Sequence, residues 1–247
     1  MKRIRAVLHA HSTWSYDGTW TLEQIARAYG AFGIDAVMMT EHDTGFDPAR
    51  FEEYRAACAN ASTKRCTLIP GIEYSSPDND IHILTWGLGG FLAEHRPVFE
   101  TLRAVETGGG VAIFAHPIRR EAWRSFEDDW VPYLSGIELW NRKSDGFLWG
   151  AEAWNLIQRT GLPATLGQDF HNWRQFYPLT HLFDLHHDDD LETGMVATLR
   201  SGRSSAQAFR RPVLGEKGIP AHMPYKQMEK ARRSLRNLRL AKQGRRS

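Results

Sequence analysis

The sequence has little of what would mark a secreted, membrane or repeat protein. Cysteine is nearly missing: Cys58 and Cys66 are the two in 247 residues. Their spacing matches neither a metal motif nor a disulfide framework, so both read as inert reduced thiols. No apolar run approaches the roughly 18 residues that a bilayer span needs. The opening MKRIRAVLHAHS lacks the apolar region and small-residue cleavage site of a secretory leader. A cytoplasmic location without a transmembrane segment is the expectation. Internal repeats and low-complexity tracts are also lacking.

What is present is globular composition, 42% hydrophobic and 24% charged, at a length normal for a single α/β barrel. The near balance of charge hides a division. Residues 226–247 carry nine Lys or Arg against Glu229 alone, a net of +8, whereas residues 1–225 carry a net of −6. The expected organisation is a barrel over residues 1–210, followed by a connector and basic tail over 211–247. Beyond Pro224, Met228, Ala231, Leu235 and Leu238 recur at steps of three and four, which predicts an amphipathic helix. That helix either packs its stripe on the body or presents its basic face to nucleic acid, an anionic lipid surface or another acidic partner.

Short apolar runs alternate with longer amphipathic ones. IRAVLHAH, IDAVMMTEH, CTLIPGIEYSS, DIHILTWGL, GVAIFAHP, SGIELWN and LPATLGQDFH read as strands, bounded by Gly or Pro. Helices are expected in TLEQIARAYGAFG, opened by a Thr21–Gln24 capping box, in PARFEEYRAACANAS after Asp47, in AEHRPVFETLRAVETGG and in LWGAEAWNLIQRTG. This alternation predicts a parallel sheet wrapped by helices, closed or nearly closed into a barrel, with an open doubly wound sheet as the alternative.

The histidines and acids fall where such a fold places chemistry. Side chains alternate along a strand, so His9 and His11 share a face, and Asp17 follows in the next turn. His42, His116, Asp169 and His171 lie at strand ends, with Glu73 late in its strand; His82 is the exception, nearer the start of its own. One such histidine is ordinary. Nine groups converging without a cation would leave buried polar atoms unsatisfied and carboxylates repelling one another. Divalent cations remove both costs. His95, His181, His186, His187 and His222 read as ordinary helix or loop residues.

HAHSTWSYDG, TEHD, PGIEYS, DIHIL, AHP and GQDFH together resemble the motifs of the polymerase and histidinol phosphatase (PHP) family of metal-dependent phosphoesterases, over roughly residues 7–171. The resemblance implies an α/β fold, a distorted (β/α)7 barrel, with two or three Zn, Mn or Fe ions. It also implies a division of ligands. His9, His11, Glu73 and Asp169 would hold one ion, Glu73 would bridge to a second held by His82 and His116, and Asp17, His42 and His171 would hold the third. The last motif reads GQD where the family commonly has GSD, a change beside the ligands.

The expected activity is hydrolysis of a small phosphomonoester or phosphodiester by a metal-activated water. Asp43 is the candidate proton donor to the leaving group. Arg119, Arg120, Arg142 and Lys143, which follow the fifth and sixth strands, are candidates to anchor phosphate, Arg119 and Arg142 foremost. Trp14, Trp140 and Trp173 suggest a ring-walled pocket suited to a nucleotide-like group, although core packing is the favoured explanation of the tryptophans. Trimming of oligonucleotides aided by the tail, or hydrolysis of a carbamate or carboxyl ester at the same metals, are the alternatives. A structural metal site in a binding protein is a third.

Overall fold

The computed structural model describes residues 1–214. The expected basic helix, and the connector from residue 215, lie outside the described residues. Among the described residues the strands are β1 (Lys2–Ala10), β2 (Ala36–Met39), β3 (Glu41–His42), β4 (Thr67–Ile69), β5 (Gly71–Ser75), β6 (His82–Trp86), β7 (Val111–Phe114), β8 (Gly136–Asn141), β9 (Ala164–Gly167), β10 (Leu179–Leu185), β11 (Ser205–Ala208) and β12 (Arg211–Pro212). They form two six-stranded sheets, ordered β12-β11-β10-β1-β2-β4 and β3-β5-β6-β7-β8-β9.

The described residues form a mixed α/β fold of two sheets, in which the expected (β/α)7 barrel is not shown as such. Strand β6 runs antiparallel to both β5 and β7, and β10 antiparallel to β1. The reason lies in the connection after β5. Ser76 N donates to Ile81 O at 2.8 Å and Ile81 N to Ser76 Oγ at 3.0 Å, closing a hairpin turn where a helical crossover would be needed for a parallel pair. The reversal also explains the position of His82. Because Ser75 pairs with His82, the start of β6 lies beside the end of β5.

The sheets are stitched at one seam. Gln168 N donates to Leu8 O, Phe170 N to His9 O and His11 N to Phe170 O, at 3.1, 3.2 and 2.8 Å. The run leaving β9 in the second sheet thereby pairs with β1 of the first, and Asp169 and His171 arrive beside His9 and His11.

Helices cover the sheets. Thr21 and Gln24 close the expected capping box and open α1 (Leu22–Ala31), and Asp47 caps the turn that runs into α2 (Phe51–Ala61). Helix α3 (Val98–Thr107) begins later than its sequence pattern suggests, because Pro97 ends the preceding extended segment. Further on come the single turn α4 (Arg142–Asp145), α5 (Ala151–Thr160), closed by left-handed Gly161 at φ 72°, and α6 (Leu191–Arg200).

Two apolar cores result. Ile4, Ala6 and Leu8 of β1 meet Met38, Trp86, Ile113, Phe183 and, from α6, Met195. On the opposite face, Val7, Val37 and Leu68 pack against Ile25 and Tyr29 of α1 and Tyr54 of α2. Such burial stabilises by roughly 25 cal/mol per Å² of apolar surface, and it fixes the strand ends that carry the polar groups.

Candidate metal centre

The nine side chains singled out from the sequence are gathered into one cluster. Glu73 is its hub. Its Oε2 lies 3.4 Å from His9 Nε2, 3.2 Å from His11 Nε2 and 3.1 Å from His42 Nδ1. Its Oε1 lies 2.6 Å from His82 Nδ1 and 2.9 Å from His116 Nε2. Asp169 Oδ1 stands 3.6 Å from both His9 Nε2 and His11 Nε2. Asp17 joins the outer side, 3.3 Å from His42 Nε2 and 3.0 Å from His171 Nε2.

Local backbone geometry aims these groups. His9, His116 and Asp169 have φ of 66°, 28° and 50°, a left-handed region costly for residues with a Cβ. At His9 the strand is bulged, with register shifting between Leu8 and Ala10. Leu8 can therefore enter the apolar core while the next side chain turns to the cluster. Strain of about 1–3 kcal/mol per such residue persists only where surroundings over-determine it, and it concentrates at functional sites.

The electrostatics are those of a concentrated, mutually compensating set. Burial opposes a proton on His9, yet the carboxylates of Glu138, Asp169 and Glu73 outweigh it and hold His9 well above the usual histidine range. His11, one residue on in the same space, is pushed well below it by burial and by the neighbouring charges of His42 and His171. Burial also opposes charge on His42, but the carboxylates of Asp17 and Glu73 beside it raise it to about 10. Glu73 stays ionised against its burial because His82 and His9 surround it.

Hydrogen bonding within the cluster is incomplete. His9 Nε2, His11 Nε2, His42 Nε2, Glu73 Oε2 and Asp17 Oδ1 are buried without a hydrogen-bond partner. Buried polar atoms are rarely left so. Ligand atoms of His9, His11 and Asp169, of His9, Glu73 and His116, and of His11, His42 and His171 lie within 4.8 Å of one another. Imidazole and carboxylate donors in such groups fit divalent Zn, Mn or Fe.

Several supporting residues were not read from the sequence. Glu41 is wholly buried; its oxygens accept from Ser12 N and from the hydroxyls of Ser12 and Ser15 at 2.6 and 2.5 Å. With its proton committed to Glu41, Ser15 Oγ accepts from His42 N and lies 3.3 Å from His11 Nδ1, leaving His11 Nε2 for the cluster. Asn79 Oδ1 takes the outer nitrogen of His82 at 2.7 Å. The Gln168 of GQD is a brace, accepting from Tyr29 Oη at 2.5 Å and donating to Tyr177 O. The serines and Glu41 stand inside the motifs, but nothing in a linear spacing says which oxygen meets which nitrogen.

The candidate substrate groups separate. Lys143 Nζ reaches 3.0 Å from His171 Nε2 and 3.5 Å from Asp169 Oδ1. Arg119 Nη1 donates to Asn79 O and lies 3.2 Å from His82 Nε2, while Arg120 pairs with Asp80 further out. The Arg142 guanidinium sits over the rings of Phe147 and Tyr177 at 4.5 and 5.1 Å. Asp43 is fully buried, its Oδ2 accepting from Ser75 N and His95 N at 3.0 and 3.1 Å, so it ties three segments together. Trp14 and Trp140 do not wall the cluster, and Trp173 is exposed. Trp14 packs with Phe46 and Tyr54, and Trp140 with Trp149 and Tyr177, a second bulge having turned it from the face of Glu138. The ring at the cluster is Tyr16, 73% exposed and stacked on His42 at 5.0 Å. His181 is a core residue, accepting from Leu166 N at 2.9 Å; burial lowers it to about 3.

This mixed α/β fold, with a buried histidine–carboxylate cluster at its strand ends, is similar to the fold of solved PHP-like proteins. Three solved structures carry the comparison. A two-domain protein from Bacteroides vulgatus containing a predicted PHP-like metal-dependent phosphoesterase matches at TM-score 0.60 and 17% identity, over 86% of this chain and 66% of that one. PsfC from Pseudomonas syringae matches at TM-score 0.63 and 19% identity, over 85% and 93%. The lesion-specific endonuclease Q from Pyrococcus furiosus matches at TM-score 0.57 and 15% identity, over 86% and 58%. No family sequence model and no curated relative matches the chain. No helix among the described residues is long and apolar enough to cross a membrane.

Proposed function

We propose that this protein is a metal-dependent hydrolase of phosphoesters. The observation that carries the reading is the set of buried, hydrogen-bond-orphaned nitrogens and oxygens converging on Glu73, within a fold shared with phosphoesterases. His9, His11, Glu73 and Asp169 would hold one divalent ion, Glu73 with His82 and His116 a second, and Asp17, His42 and His171 a third. Bound cations supply Lewis acidity toward the phosphoryl oxygens and an activated water near neutral pH.

The chain's own residues do the remainder. Lys143 and Arg119 approach the cluster from opposite flanks, beside His171 and His82, and offer cationic donors to a phosphoryl group. Arg142 lies over the rings of Phe147 and Tyr177. Asp43, whose Oδ2 accepts two backbone donors, braces the rim in this reading rather than yielding a proton. Tyr16 offers its open ring face to a planar group, which supports a nucleotide-like or aryl ester. Protein reconstituted with Zn, Mn or Fe should turn over p-nitrophenyl phosphate or its bis ester, and His9→Ala should abolish this. Turnover with none of the metals, for any phosphoester, carbamate or carboxyl ester in a broad panel, would overturn the hydrolase reading in favour of a structural metal site.

Nuclease-type trimming is the second reading, supported by the endonuclease Q likeness and the nine basic residues of 226–247. Deleting 226–247 should then depress activity on oligonucleotides far more than on mononucleotides, with a steep salt dependence. An unchanged ratio refutes it.

A further inference from the structure

Glu138 belongs to none of the ligand groups above, yet it is among the most enclosed charges in the protein. It is 1% exposed and both oxygens are engaged. Oε1 accepts from His9 Nδ1 at 2.8 Å, and Oε2 from His116 N at 2.7 Å and Asn141 Nδ2 at 3.0 Å. A carboxylate can only accept, so His9 must carry its proton on Nδ1, which leaves Nε2 for the cluster. The same side chain ties His116 by its backbone. His9 and His116 are two of the left-handed residues, so one carboxylate clamps two strained positions, one on β1 and one just past β7. Asn141, its third partner, caps α4 by accepting from Lys143 N and Ser144 N.

The neighbouring strand makes room for it. Asn141 pairs with Gly167 across β8 and β9. A Cβ at Gly167 would run into the Glu138 carboxyl group. Its φ is not in the positive region, so the glycine answers to the Glu138 side chain and not to a backbone requirement.

We infer that Glu138 is the positioning residue of the inner metal subsite: not a ligand, but the acceptor that fixes His9 and His116 and thereby sets how tightly the ion between them is held. The inference rests on the metal-centre reading above. It predicts that Glu138→Gln, equal in size, weakens metal binding. An amide offers one acceptor end, so either His9 Nδ1–H or His116 N–H must face an NH2 group. Loss of such an outer partner costs metal affinity about 10- to 100-fold. Gly167→Ala should act in the same direction by displacing Glu138, with every ligand left in place.

The test is zinc affinity of the full chain, by competition of the metal-stripped protein against a chromophoric chelator. The visible spectrum of the cobalt-substituted protein is a second readout, and circular dichroism confirms the fold. Weaker zinc binding with an altered cobalt spectrum in either folded variant supports the role, and Gly167→Ala keeps the question open to measurement should Glu138→Gln fail to fold. Zinc held as tightly by both variants as by wild type, with an unchanged cobalt spectrum, overturns the positioning role alone. Wild-type protein that takes up no zinc and no cobalt overturns the metal centre and this inference with it.

Discussion

The inner and outer halves of the cluster are built differently. His9, His11, Glu73 and Asp169 sit on strands or on the seam that joins the sheets, with side chains 0–5% exposed. The outer half relies on Asp17, whose side chain is 35% exposed and which comes from the turn between β1 and α1. Strand-borne groups are fixed by ladder bonds and by two apolar cores; the turn that carries Asp17 is held by bonds such as Gly18 N to Ser15 O and Thr19 N to His171 O. The difference teaches that the inner half is wholly enclosed by the fold, whereas the outer half depends on a more exposed turn carboxylate.

The largest expected effect breaks the inner half. Glu73→Gln should empty it and reduce turnover on the order of 10³-fold or more, the scale set by removing a principal electrostatic group; metal analysis and kcat measured together check this. Asp17→Asn should lower total metal without emptying the protein and cost less, roughly 10- to 100-fold in activity. Equal losses in the two variants would show that the halves are one unit. Smaller again, Lys143→Ala should raise KM with little change in metal content, by about tenfold for a lost charged hydrogen bond of about 1.5 kcal/mol.

Stability behind the inner half depends on the buried Asp145. Burial, with the charge of Glu138 adding to it, pushes the Asp145 carboxyl up to about 8 even though Oδ2 accepts from Asn141 N at 2.6 Å. A carboxyl raised in the folded state contributes stability fully below its ordinary range near 4, and that contribution disappears as pH rises through 8. Wild type should therefore lose on the order of a few kcal/mol between pH 4 and 8 from this group. Asp145→Asn should flatten the dependence, read from urea midpoints at pH 5 and 9.

Much of the cluster was legible because its members lie in short motifs at strand ends, where residue type and strand position coincide. His82 looked misplaced only while every strand was taken as parallel; direction depends on the Ser76–Ile81 turn, whose bonds are not visible as a period. The same limit hid the sheet arrangement, since the alternation of strands and helices is shared by parallel barrels and by mixed sheets. Trp140 was misplaced because a bulge between Glu138 and Trp140 breaks the two-residue rule. Glu41 and Glu138 escaped because a buried second carboxylate looks, in sequence, like any other acid.

The seam between Leu8–His11 and Gln168–Phe170 has a consequence for assembly. The clustered side chains come from distant parts of the described chain, so the cluster cannot form until β1 has met the run that follows β9. Loop closure over that separation is slow and entropically dear. A cation gripping both sides would act as a clasp on the finished molecule, and its uptake would report that the two sheets have met.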